Sequence, residues 1–460
     1  MSDDIVHPTL DDPLLIGAAE GLGGSTGSHQ RDAWGWWTPL RVILVVLGGS
    51  LVVGYLQKLP CRDVSRWKDQ FAFSHVCYTD VVASWSAYGL DKGQVPLFDF
   101  FVPYPPLTAA VMEVAAVLAR AFPSDASAST YFDITVVLLA VFAIVAVVTT
   151  ALLASRRRPW DALMVALSPV LILQAFTNWD LVALALLGLA MVAWSRSAPA
   201  WAGVWLGLAT ATKFWPLLML LVLVMLCWRA GRLRDWLVIA GATVAAWAAV
   251  SVPVMLRSPD GFLEFWRVNI SRGPDWDSLW LALGDATGWD SRGEVSNMRV
   301  GAVLLVLTLA VAVLVLKAPR RPRVPQVMFV LLALFLVFGK VFSPQDALWL
   351  TPLAVLARPR WRTFLVWQSA EVVLTINRML LLGGLENFDK GLPRGWWYVT
   401  VGIRDITLLV LVGFVVREML RPRADVVRAG GEDDPAGGVL DGAPDRERRD
   451  AGRHRESVLT

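Results

Sequence analysis

The chain has 460 residues, of which 56% are hydrophobic and only 18% charged, with 23 tryptophans and a formal net charge of +3. A soluble protein of this size carries about 25% charge, so the composition excludes an ordinary water-soluble domain, and the small net charge suggests no nucleic-acid partner. It points to an all-α polytopic membrane protein, in which frequent Trp, Gly and Pro are expected.

The first 30 residues hold Asp3, Asp4, Asp11, Asp12 and Glu20 but no Lys, Arg or apolar core. No cleavable signal peptide is expected there, and 1–38 reads as a disordered cytoplasmic tail. A span needs roughly 20 mostly apolar residues, fewer inside a bundle. Candidate runs follow at 39–57, 131–154, 160–177, 179–195, 199–212, 215–228, 236–256, 299–317, 324–340, 346–357, 361–383 and 397–416. A thirteenth segment, 105–120, opens with "YPPL" and carries Glu113. The expectation is about 12 transmembrane helices (11–13) in a domain covering 39–416.

Orientation follows from the short basic loops. These are "SRRRPW" (155–160), "WRAGRLRDW" (228–236), "KAPRRPR" (317–323), "ARPRWR" (357–362) and the Arg-bearing start of the C-terminal stretch. Placing all of them in the cytoplasm works with the twelve runs. It puts a long first loop, 58–130, and a large loop, 257–298, outside, and makes 105–120 a re-entrant or surface-lying helix. If 105–120 spans instead, the parity breaks. Residues 417–460, rich in Arg, Asp and Gly, read as a second disordered cytoplasmic tail.

In this orientation the unusual polar residues all fall outside. Asp80 lies in "HVCYTDVVASW" beside Tyr78, and Tyr104 ends the same loop. Asp80 reads either as a solvated acid or helix cap, or as a general base in surroundings that raise its pKa. Lys213 ("KFWP") and Lys340 ("KVFSP") each end an apolar helix and precede an aromatic. Each is a snorkelling lysine or part of a clamp for an anionic phosphate. Asn178 and Asp180 in "FTNWDL", and Gln345 in "SPQD", offer either turn and cap chemistry or hydrogen bonds to sugar hydroxyls. "SRGPDWDSLW" (271–280) carries Arg272 and two acids flanking a Trp, and "TINRM" carries Arg378. The two acids could hold a divalent cation, but D-x-D alone is a weak signal, and the four scattered histidines make no metal site. Polar groups at span ends are costly unless they face a cavity, so this sidedness indicates one outward-facing site.

The cysteines are Cys61, Cys77 and Cys227. A Cys61–Cys77 disulfide outside the cell is one expectation; two packed free thiols are the other.

The stretch "CYTDVVASWSAYGLDKGQVPLFDFFVPYPPLTA" resembles the first outer loop of actinobacterial proteins of glycosyltransferase family 87, formerly a domain of unknown function. "QAFTNWDLVALAL", "GLATATKFWPLLML" and "VFGKVFSPQDALWLTPL" resemble that family's later blocks, so the likeness runs through nearly all of 39–416. Thr79 stands where Ser is usual and keeps the hydroxyl; "VPYPPL" lacks the acid that often precedes Tyr-Pro. The family includes a mycobacterial polyprenol-phosphate-mannose-dependent α-1,2-mannosyltransferase. The resemblance implies a GT-C-like fold, an extracytoplasmic site in the plasma membrane, and a catalytic Asp that maps onto Asp80. It also implies a polyprenyl-phosphate sugar donor and a glycolipid or cell-envelope glycan acceptor, with mannose taken from that one member and other sugars open. No cofactor is expected, with a divalent cation left open. Lys213, Lys340, Arg272 and Arg378 would bind the donor phosphate; Tyr78, Tyr104, Asn178, Asp180 and Gln345 would bind sugar or acceptor. The rival readings are a flippase or exporter of lipid-linked sugars, which should show internal repeats and midplane polar residues, and a structural subunit.

Overall fold

The computed structural model describes residues 37–67, 70–122, 127–155, 158–289, 294–386, 391–429 and 431–445. All but the last two residues of the expected N-terminal tail, and residues 446–460, lie outside that set. In chain order the helices are α1 (Pro39–Lys58), α2 (Phe71–Ser74), α3 (Asp80–Ala87), α4 (Pro106–Arg120), α5 (Ala128–Leu153), α6 (Leu163–Ala166), α7 (Pro169–Gln174), α8 (Asp180–Ser195), α9 (Pro199–Thr212), α10 (Leu218–Ala230), α11 (Leu233–Arg257), α12 (Pro259–Ser271), α13 (Leu279–Thr287), α14 (Glu294–Lys317), α15 (Val324–Val337), α16 (Ala347–Ala357), α17 (Trp361–Glu386), α18 (Arg394–Leu420) and α19 (Val426–Ala429). No strand occurs among the described residues.

Six helical stretches among the described residues are long and apolar enough to cross a bilayer: Pro39–Cys61, Ala128–Leu153, Leu233–Arg257, Ser296–Lys317, Trp361–Leu385 and Arg394–Leu420. They show apolar side chains such as Val52, Val137, Val244, Leu305 and Ile406 to the surroundings, as lipid-facing helices do. Shorter apolar helices fill the interior. All 11 residues of α16 are buried. At 1.5 Å per residue it is about 16 Å long, half the ~30 Å of a bilayer core. Surrounded by protein, such a helix need not span, because its end groups find partners in neighbouring chain rather than in lipid. The protein is thus all-α and multi-pass, but the expected count of twelve is not met by twelve span-length helices.

Run 160–177 is not one helix. It breaks into α6 and α7 at Leu167–Ser168, where Ser168 caps α7 and Pro169 opens it. Proline has no N–H to extend the preceding helix and clashes with its last turn. Segment 105–120 forms the 15-residue α4, short for a crossing. Its Thr108 hydroxyl donates to Thr212 O (2.7 Å) and its Arg120 to Leu90 O (2.7 Å), so it is tied at both ends. Gly203 and Gly207, four apart on α9, press against the backbone of α11. A Cβ at either would lie 2.5 Å from a carbonyl oxygen, of Ile239 or Thr243, which is close packing of the small-xxx-small kind.

The basic loops do share one end of the bundle. Arg158 reaches Pro359 O, and Arg229 and Arg321 both bind Asp445. They are not plain anchors, and the segment after α18 is not a loose tail. Residues 421–429 and 431–445 fold back over this end. Buried Arg323 pairs with buried Asp425 at 2.8 Å and also donates to Leu356 O and Ala357 O. Arg229, 1% exposed, pairs with Asp445, and Arg358 with Glu418. Asp434 accepts from Val324 N–H, capping the start of α15. Tertiary ion pairs order a stretch whose own composition gives it no core.

Candidate active site

The opposite end of the bundle collects the polar motifs. The Thr79 hydroxyl accepts from Val81 N–H as the N-cap of α3 and donates to Phe176 O at 2.8 Å. Asp80 opens that helix, and its N–H donates to Thr177 O at 2.9 Å. The turn after α7 therefore docks onto the start of α3. A carboxylate in the first turn of a helix also sits at the favourable end of its dipole.

The loop before Asp80 is pinned from two directions. Cys61 and Cys77 form a disulfide with 5.6 Å between Cα atoms. Buried Lys58, the last residue of α1, donates to Tyr78 O at 2.8 Å, and Gln57 donates to Val76 O. The Tyr78 side chain packs against Trp67 and Phe73, and its hydroxyl acts on the Asp80 carboxyl.

Asp80 is half-buried. Burial pushes its carboxyl above the ordinary range, and the neighbouring charge of Asp180 adds to this. The Tyr78 hydroxyl and the cations of Lys213 and Arg378 act against it, without cancelling it. Tyr104 and Tyr88 border the same carboxylate, and the Tyr104 ring stands edge-on to Trp179 at 5.5 Å.

Lys213, just past α9, is not free. It pairs with Asp180 at 2.7 Å, with Asp346 as a further carboxylate neighbour, and lies over the Trp349 ring at 5.5 Å. Asp180 is itself 1% exposed. Asn178 does turn chemistry, its Oδ1 accepting from Asp180 N–H at 2.9 Å. Half-buried Gln345 occupies the turn before α16. Arg378, on α17, pairs with fully buried Asp277 and lies 3.7 Å from Asp275. Arg272 meets Asp275 at 3.2 Å.

The structure therefore brings Tyr78, Asp80, Tyr104, Asp180, Lys213 and Arg378 together. Lys340 departs from its expected clamp role: its ammonium is engaged by Asn269 O, Arg272 O and Asn297 Oδ1 at 2.9, 2.9 and 2.5 Å. It fastens the 269–272 corner to the turn after α15. Asp275 and Asp277 both face arginines rather than a shared cation position. Among the described residues no group of three or more His, Cys, Asp and Glu is placed to hold a metal.

Sequence reasoning missed the support behind this cluster. Arg404, fully buried on α18, donates to Phe342 O and Asp277 O, pairs with Asp405 and covers the Phe342 ring. Glu371, fully buried on α17, accepts from Trp367 Nε1 at 2.9 Å. Charges inside the apolar runs 361–383 and 397–416 were the signal, since intramembrane ionisable residues persist where they are used.

The sequence profile of glycosyltransferase family 87 matches residues 101–344. No curated protein matches the chain. Among solved structures it is similar to ArnT from Cupriavidus metallidurans bound to undecaprenyl phosphate, at 12% identity and a TM-score of 0.41, over 85% of this chain and 79% of that one. It is also similar to the archaeal oligosaccharyltransferase AglB from Archaeoglobus fulgidus in complex with an inhibitory peptide and a dolichol-phosphate, at 13% identity and a TM-score of 0.35, over 92% of this chain and 60% of that one.

Proposed function

The chain belongs to glycosyltransferase family 87, and from that premise we propose that this multi-pass membrane glycosyltransferase moves a sugar from a polyprenyl-phosphate donor to a hydroxyl of a glycolipid or envelope glycan at the outer face of the plasma membrane. Asp80 is the general base. The acceptor oxygen attacks the anomeric carbon as its proton passes to Asp80. The bond from that carbon to the phosphate oxygen breaks, and the lipid phosphate leaves with the electron pair. Attack from the side opposite the phosphate inverts the anomeric configuration. General-base help of this kind is worth about 10²–10⁴-fold. Lys213 and Arg378 border the base and are the cations available to the leaving phosphate. Tyr78 and Tyr104 supply hydroxyls and ring faces to the sugars. Mannose is the sugar the family resemblance favours.

The observation that carries this reading is the Asp80 carboxylate itself. It is half-buried rather than sealed, it opens α3 with its N–H tied to Thr177 O, and the charges of Lys213 and Arg378 act on it. The test is transfer from labelled polyprenyl-phosphate mannose to a glycolipid acceptor by the purified full-length protein, beside its Asp80→Asn variant. Transfer by the wild type and its loss in the variant are expected. Full transfer by Asp80→Asn removes Asp80 from the chemistry, and an inactive wild type with other polyprenyl-phosphate sugars active corrects the sugar.

A further inference from the structure

Arg378 has two carboxylate neighbours besides Asp80, and they differ. Asp277 is fully buried. Asp275 keeps a side chain 12% exposed and sits in a cradle of donors. Its Oδ2 receives the Ser343 hydroxyl at 3.1 Å and Arg272 Nη2 at 3.2 Å, with Arg378 Nη2 at 3.7 Å. Its Oδ1 accepts from Trp276 N–H at 2.9 Å. Two guanidiniums, a hydroxyl and a backbone N–H around one anion is the donor set that binds phosphate oxygens.

The backbone beneath is fixed independently of that side chain. Asp275 N–H donates to Lys340 O (2.8 Å), Trp280 Nε1 to Phe338 O (2.9 Å), Trp397 Nε1 to Trp276 O (3.0 Å), and Arg404 to Asp277 O (2.8 Å). Only side-chain torsions need turn for the carboxylate to leave. The fold does not need it there either. Asp277 already neutralises half-buried Arg378, and Arg272, 40% exposed, can be solvated.

Charge settles what could take its place. Arg272 and Arg378 against Asp275 and Asp277 sum to zero. A lipid-linked sugar phosphate is a diester with one negative charge. Added to the filled cradle, it would leave an uncompensated anion in a poorly hydrated place; exchanged for Asp275, it leaves the balance unchanged. We infer that Asp275 is a resident counter-ion that keeps a phosphate cradle filled, gives way to the phosphodiester of the incoming donor, and returns as the lipid phosphate departs. This rests on the donor proposed above and adds how its site is gated.

The test is binding of a polyprenyl-phosphate mannose, the singly charged diester considered above, to the full-length protein in nanodiscs, for the wild type, Asp275→Asn and Asp275→Glu. Asparagine keeps the shape and loses the competing charge, so binding should tighten about 10-fold, the size of one charge-assisted hydrogen bond. Glutamate keeps the charge and should not tighten it. Unfolding temperatures of all three confirm that folded proteins are compared. Wild-type binding that is unchanged or weakened in Asp275→Asn overturns the counter-ion role and leaves the donor assignment standing, because the carboxylate would then only organise the arginines. Absence of binding by both the wild type and Asp275→Asn takes down the donor assignment and this inference together.

Discussion

The pairing of Lys213 with Asp180 can be tested by removing one charge and then both. Asp180 is buried, and neither of its carboxylate oxygens finds a hydrogen-bond donor beyond the lysine 2.7 Å away among the described residues. Lys213→Met leaves that carboxylate charged and alone, a change that costs about 3–5 kcal/mol for buried pairs. At about 2.1 cal/mol/K of unfolding entropy per residue, 460 residues give roughly 1 °C of Tm per kcal/mol, so a fall of about 3–5 °C is expected. Asp180→Asn should cost less, because Asp346 and the Trp349 face remain beside the ammonium. The double variant should recover part of the loss, with a coupling of about 2–3 kcal/mol. It should not recover transfer, since the cation is still missing. Tryptophan fluorescence during heating in nanodiscs reads the Tm. A Lys213→Met protein as stable as the wild type, or a double variant whose loss is the sum of the two singles, would refute the claim that the pair is a buried compensating unit.

Three further expectations follow from the same geometry. A base with a raised pKa must be ionised to act, so kcat/KM should fall as pH drops through a value above the ordinary carboxylate range. Tyr78→Phe should move that acid limb to still higher pH, because the lost hydroxyl was holding the pKa down; an unmoved limb would exclude Asp80 as the titrating group. Reducing the Cys61–Cys77 bridge, which closes a 16-residue separation, should remove about 3 kcal/mol, and non-reducing mass spectrometry that finds both thiols free would reject the bridge. Asp425→Ala leaves buried Arg323 without its carboxylate, so limited proteolysis should cut within 426–440 much faster than in the wild type; an unchanged rate would mean that the clamp does not hold the segment down.

The polar cluster at one end of the fold was legible because its residues are anomalous where they stand. Asp80, Asp180, Lys213 and Arg378 interrupt apolar sequence, and alternation of the basic loops places them together. The start of α1 matches the run read from residue 39, whereas α5 starts at Ala128, three residues before the run read from 131. What could not be read was partner choice. A lone lysine at the end of an apolar helix looks the same whether its ammonium meets a ligand or a ring of carbonyls, and Lys340 took the second course. The C-terminal acids misled for a related reason. Composition measures the apolar surface a segment can bury by itself, whereas Asp425 is held by an arginine 102 residues away.

Most buried cations at both ends of the bundle are paired with carboxylates, and the ends differ in how exposed their acids are. At the arginine-rich end the buried arginines Arg229, Arg323 and Arg358 are each paired with a carboxylate. Arg323 uses Nε, Nη1 and Nη2 on Asp425 and on two carbonyls, so it cannot take up a new anion without giving up contacts that hold the fold. At the other end the cations are balanced as well, Lys213 by Asp180 and Arg378 by Asp277. Yet Asp80 and Asp275 retain exposure beside those same cations. The proposed transfer from a charged lipid calls for carboxylates that can change partner or protonation at low cost, and side chains at the edge of a buried ion-pair network can do so. Buried Asp180 and Asp277 hold the cations in position, leaving the two more exposed acids to respond to the substrate.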